Sequence, residues 1–347
     1  MGNFFYTFLL PNIQHSMLPG IVFHLSSPSQ TALGMISRRN IRVKVMQTLY
    51  TMVSLGKESK LPEPQKLLQQ QFDQVRSLYV YLIYFLTEVT RYAETNSHQR
   101  AGKHLPTSAD LNVNIKIAGN ELLWKMLEDP ALKEQFAKEK PQQFINIELV
   151  RKIYLDLTAT DDYKAYILKP SRSSSEEKKI LEFILNDMLL ANETFVSHIE
   201  DNFFNWDDDG EMIIQLLVSY MQKPGSVNFK QMLSPDKEEF AKGLLRTVLE
   251  KDEYLQGLII PKLKNWDPER IALLDMILMK MGVSEFLYFE TIPPKVTINE
   301  YIDLAKDYST QQSGQFVNGI LDNIHKELVQ QGKMQKVEYK KPDKLKS

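Results

Sequence analysis

From residue 37 onward the apolar residues recur mostly at intervals of three and four, the period of an amphipathic helix. The fold class this predicts is all-α. In SRRNIRVKVMQTLYTM, Ile41, Val45, Thr48 and Met52 fall on one stripe, with Ser37 placed to cap the helix and Gly56 to end it. A second helix is predicted from about Pro64 to Ala93; its aromatic middle, Tyr79, Tyr81, Tyr84 and Phe85, reads as core. Helical stretches follow at about 118–139, 145–157, 175–203, 210–222 and 236–251, punctuated by Asp129-Pro130, Lys140-Pro141 and Lys223-Pro224-Gly225.

The last third predicts a hydrophobic helix from about Pro268 to Met281, with Ile271, Leu274, Ile277, Leu278 and Met281 on one face. After the break at Pro293-Pro294, Thr297 and Glu300 have the spacing of a capping box that starts a helix running to about Asp307. Ser309-Thr310 then opens a final helix, in which Phe316, Ile320, Ile324 and Leu328 recur every fourth residue. The pair Asn318-Gly319 inside it implies close helix packing, because a mid-helix glycine costs about 1 kcal/mol in propensity. Beyond Gly332 the Lys-rich segment reads as a disordered basic tail.

Chemistry narrows the picture mainly by exclusion. There are no cysteines, so thiol catalysis, disulfides and Cys-ligated metals are ruled out, and a reducing cytoplasm is the expected compartment. The six histidines include no i, i+4 pair, and Asp207-Asp208-Asp209-Gly210-Glu211 lacks the spacing of a calcium loop. That acidic run reads instead as a helix start, with Asp209 as the cap. No metal or cofactor site is indicated, no phosphate-binding glycine loop or nucleophile elbow is present, and the chain does not read as an enzyme. The longest strongly apolar run, LYVYLIYFL at 78–86, is too short to span a membrane. Residues 1–34 carry no Lys, Arg, Asp or Glu, unlike everything after them, and are expected to be a leader ahead of a true start at Met35.

Charge supplies the positive signal. Arg38, Arg39, Arg42 and Lys44 put four cations within eight residues with no acid among them. On a helical wheel Arg39, Met46 and Tyr50 lie within about 40° of each other, with Arg42 adjacent. Guanidinium groups fork onto phosphates and a tyrosine ring stacks an unpaired base, so the strip suits RNA. It equally suits a solvated helix start with Tyr50 in the core. Although the net charge is only −2, residues 37–44 and 331–347 are each strongly basic, so the remaining chain is acidic and any RNA site is localised.

Two segments carry a family resemblance: RRNIRVKVMQTLY (38–50) and the stretch 266–324. The second contains Trp266 and Arg270 as W-x-x-x-R, then Asp275 and Glu285, and P-x-K-V-x-I-N-E from Pro293 to Glu300. It continues with Leu304 to Lys306 and with S-x-x-F-V-N-G-x-L from Ser313 to Leu321. In this ordered set the chain resembles the NusB family of bacterial transcription antitermination factors. The resemblance implies two small helical bundles packed side by side, and a protein that binds single-stranded boxA RNA of nascent ribosomal-operon transcripts together with NusE, a small-subunit ribosomal protein. RNA polymerase thereby becomes resistant to termination. It further implies that Arg38, Arg39, Arg42 and Tyr50 contact RNA and that Asp275 and Phe316 face NusE. The chain departs from the family at Asn40, Lys280 and Gln312, and it is far longer. Expected divisions are the leader 1–34, an N-terminal helical subdomain with inserted helices at 35–235, a NusB-like C-terminal subdomain at 236–330 and the tail at 331–347. The other reading is a helical protein-interaction scaffold that has lost RNA binding.

Overall fold

The computed structural model describes residues 36–56, 63–263 and 271–337. The proposed leader and start at Met35, the motif residues Trp266 and Arg270, and the tail beyond residue 337 lie outside the described residues. Among the described residues there are helices and no strands, as the periodicity predicts. No described helix is long and apolar enough to cross a membrane.

The chain forms two compact units: one gathers Ser37–Gln71 with the residues from Pro235 onward, and the other gathers Phe72–Ser234. The first helix therefore belongs with the C-terminal helices, whereas the sequence reading grouped it with the middle. In chain order the helices are α1 (Arg38–Leu55), α2 (Pro64–Ala101), α3 (Glu121–Glu128), α4 (Pro130–Glu139), α5 (Ile147–Ala159), α6 (Asp161–Leu168), α7 (Ser174–Phe183), α8 (Glu193–Asn202), α9 (Trp206–Gln222), α10 (Pro235–Glu250), α11 (Asp252–Ile259), α12 (Leu273–Tyr288), α13 (Pro294–Tyr308) and α14 (Ser313–Gln330), with short helical turns between some of them.

Local chemistry sets most of the boundaries in the middle unit. Asn120, Asp129, Asn146, Thr160, Ser173 and Asn192 each precede a helix and accept a hydrogen bond from a backbone N–H in its first turn, which begins α3 through α8. The core is the middle of α2, where Leu78, Tyr79, Val80, Tyr81, Leu82, Ile83, Phe85 and Leu86 are all fully buried. The tyrosines find partners there, since Tyr79 Oη donates to the Leu216 carbonyl at 3.1 Å and Tyr81 Oη to that of Phe144 at 3.2 Å. Helix α9 starts at Trp206, three residues before the expected cap: Asp209 lies inside the first turn, fully buried, and accepts from Asn205 Nδ2 at 2.7 Å.

The other unit is built around α12. The helix starts at Leu273, leaving Ile271 outside it, and instead of the single apolar face expected, Leu274, Ile277, Leu278, Met279, Met281, Val283 and Phe286 are buried around it, with α1, α10, α11, α13 and α14 packed against it. Three expectations change here. Thr297 is not a cap, because α13 already begins at Pro294; its buried hydroxyl instead donates to Glu285 at 3.0 Å. Gly319 is exposed, and a Cβ built on it meets no neighbouring element within 4 Å, whereas Gly314 of the same helix and Gly282 of α12 are close-packed, with Lys306 Cγ at 2.8 Å and Leu321 methyls at 3.0 Å from such a Cβ. Residues 333–337 are also anchored: Lys336 Nζ donates to the carbonyls of Glu285 at 2.7 Å and Phe289 at 2.8 Å, and Val337 N–H donates to Glu290. Burial lowers the Lys336 pKa to about 8 against the pull of Glu285 and Glu290.

Candidate nucleic-acid interface

Ser37 accepts from the Asn40 N–H and starts α1, leaving three arginines in and just after its first turn, where the helix dipole opposes positive charge. Each resolves that conflict differently. Arg38 is 40% exposed, lies 3.6 Å from Asp236 at the start of α10, and holds its guanidinium 5.6 Å from the Phe240 ring centre. Arg39, also 40% exposed, donates to Asp307 Oδ2 at 2.7 Å; that carboxylate is 53% exposed.

Arg42 departs from the expected RNA contact. It is 2% exposed, and its Nε and Nη2 fork onto the two carboxylate oxygens of Glu285 at 2.7 and 3.0 Å, while Nη1 reaches Glu300 at 3.2 Å. Tyr301 Oη donates to the same Glu285 carboxylate at 2.7 Å, beside the Thr297 hydroxyl, so Glu285 accepts from four donors in a fully buried position. Burial alone would lower the Arg42 pKa. Glu285, Tyr301 and Glu300 outweigh it and leave the guanidinium more firmly charged than usual. The Tyr301 hydroxyl is pushed well above its ordinary range by burial and by Glu285. The cluster joins α1, α12 and α13, so Arg42 fixes the helix that displays its two neighbours.

Lys44 is likewise fully buried, with Nζ 3.4 Å from Gln47 Oε1. Tyr50 is half-buried, and Met46, which shares its side of the helix, is only 2% exposed. The expected strip is therefore two separate places. Arg38 and Arg39 form one and Tyr50 the other, with Arg39 and Tyr50 about 16 Å apart along the helix axis. That spacing matches a strand of a few nucleotides, whose phosphates would meet the guanidinium groups and one base the ring.

Asp275 and Phe316 are linked through the first turn of α14, which begins at Ser313. Asp275 sits in the first turn of α12, is 6% exposed, and accepts from Ser313 Oγ at 2.8 Å, while its Oδ1 is buried without a hydrogen-bond partner. Phe316, one turn along α14 from Ser313, is half-buried. The exposed face it belongs to also carries Gln312, Gly319 and Asn323.

Sequence reasoning did not see that Glu285, Tyr301, Asp236 and Asp307 serve the arginines. The one available signal was Glu285 itself, a carboxylate within the apolar run MGVSEFLYF. Such a position in an otherwise buried helix calls for a cationic partner.

A family model described as the NusB family matches residues 197–326. A transcription antitermination protein NusB from Methylacidiphilum infernorum is 39% identical over 127 residues, covering 34% of this chain and 87% of that protein. One from an Exiguobacterium species is 34% identical over 117 residues and is covered to 91%. The NusB of Salinibacter ruber is 42% identical over 102 residues, and the chain spans 64% of its length. A solved structure of T. maritima NusB is 30% identical, covering 37% of this chain and 82% of that one, with a TM-score of 0.26.

Proposed function

Because this chain belongs to the NusB family, we propose that it acts in transcription antitermination, binding boxA-type single-stranded RNA of nascent ribosomal-operon transcripts together with NusE and so making RNA polymerase resist termination. The observation that carries this reading is the start of α1. Two half-exposed guanidinium groups, Arg38 and Arg39, are displayed by a helix whose position the buried Arg42–Glu285 pair fixes. Arg38, Arg39 and Tyr50 contact the RNA; Arg42 supports them from inside. Phe316, half-buried in the first turn of α14, faces NusE, and Asp275 orders that turn from inside through Ser313.

The test is a titration of labelled single-stranded boxA RNA with and without NusE, against a scrambled RNA of equal length. The reading expects preference for boxA and tighter binding when NusE is present. Binding of NusE with no RNA affinity under either condition contradicts it and leaves a protein-interaction scaffold.

A further inference from the structure

Asp307 is placed where its own helix gives it no support. It lies in the last turn of α13, the end at which the helix dipole disfavours a carboxylate, and it is exposed to water. Its contact with Arg39 spans 268 residues of sequence, so it is not a by-product of local helix spacing. Arg39 is the mirror case, a cation at the positive end of α1. The Asp236 contact of Arg38 is looser, at 3.6 Å, and that acid stands in the first turn of α10, where the dipole already favours it. Of the two carboxylates facing the exposed arginines, only Asp307 stands at a helix end whose dipole opposes it.

We propose that Asp307 is an affinity-setting residue that competes with the RNA backbone for the Arg39 guanidinium. This rests on the RNA-binding reading above and adds to it the exchange by which RNA is taken up. In the free protein the carboxylate accepts from Arg39 Nη2, a donor that a phosphate would use. On binding, a phosphate oxygen takes its place at Arg39 Nη2. A surface ion pair of this exposure is worth little, so the exchange is inexpensive for a strand held elsewhere by Arg38 and Tyr50. A nucleic acid that offers only one well-placed phosphate gains much less from displacing it.

The test compares wild type, D307N, R39A and the R39A/D307N double variant in titrations of labelled single-stranded boxA RNA. D303N serves as the field control, because Asp303 lies one turn earlier on α13, has the same charge and is 53% exposed, but pairs with Lys306. Expected are binding about three- to fivefold tighter for D307N, weaker binding for R39A, a much smaller gain for D303N, and no gain from D307N once Arg39 is absent. An equal gain from D303N, or a D307N gain that persists in the R39A background, means that the carboxylate acts only through the general field and overturns the proposal while RNA binding stands. An R39A variant that binds like wild type overturns the RNA-binding role of Arg39 itself, and the proposal falls with it.

Discussion

Arg42 and Glu285 show how little a residue's type says about its use. Both stand in the segments that resemble the NusB family, and the arginine looks from sequence like a third RNA contact. Its partner lies 243 positions away, a distance over which periodicity and spacing give no information. A buried pair of this kind is weak evidence for stability, yet breaking it leaves an uncompensated charge. Arg42→Ala is therefore expected to cost about 3–5 kcal/mol in urea unfolding, with Glu285 left beside two neutral donors. The double replacement R42M/E285M recovers part of that loss, because no unpaired buried charge remains although the Thr297 and Tyr301 hydroxyls lose their acceptor. Equal destabilisation by the single and double variants contradicts the pairing.

At the scale of elements, α12 and α14 present a contrast between two glycines. Gly319 of α14 touches nothing, while Gly282 of α12 lets Leu321 of α14 approach closely. Replacing Gly319 by Ala should raise stability by about 0.5–1 kcal/mol through helix propensity alone. Replacing Gly282 by Ala should lower it by about 1–3 kcal/mol, since the Leu321 methyls must move. Thermal melts of the two variants are expected to shift in opposite directions. The sequence placed Gly319 within a helix but ended the earlier helix at Met281, before Gly282, and it could not show which glycine is packed, because a glycine has no side chain to reveal its surroundings. Long periodic helices such as α2 and α14 were legible for the opposite reason: their apolar residues repeat over many turns. The short α6 and α11 were missed. Each has only eight residues, too few for a period to stand out. The supposed capping box at Thr297 failed because the same spacing places hydroxyl and carboxylate on a helix interior, where they serve Glu285 and Arg42.

For the whole molecule, the net charge of −2 conceals a basic start and a basic end on an acidic remainder. The structure reduces the basic start further. Arg42 and Lys44 are buried, which leaves two displayed guanidinium groups, each facing a carboxylate. All-α architecture and family were legible from periodicity and from the ordered motifs at the two ends. The geometry of the proposed RNA site was not, since burial and long-range pairing decide it. In the proposed function these two cations meet phosphates. The most direct test is the salt dependence of boxA RNA affinity for wild type and for the R38A/R39A double variant. Each phosphate contact on a single strand contributes about −0.7 to the slope of log K against log salt, so losing two should flatten it by about 1.4 units and weaken binding. A variant whose affinity and slope both match the wild type would place the RNA elsewhere and contradict the account.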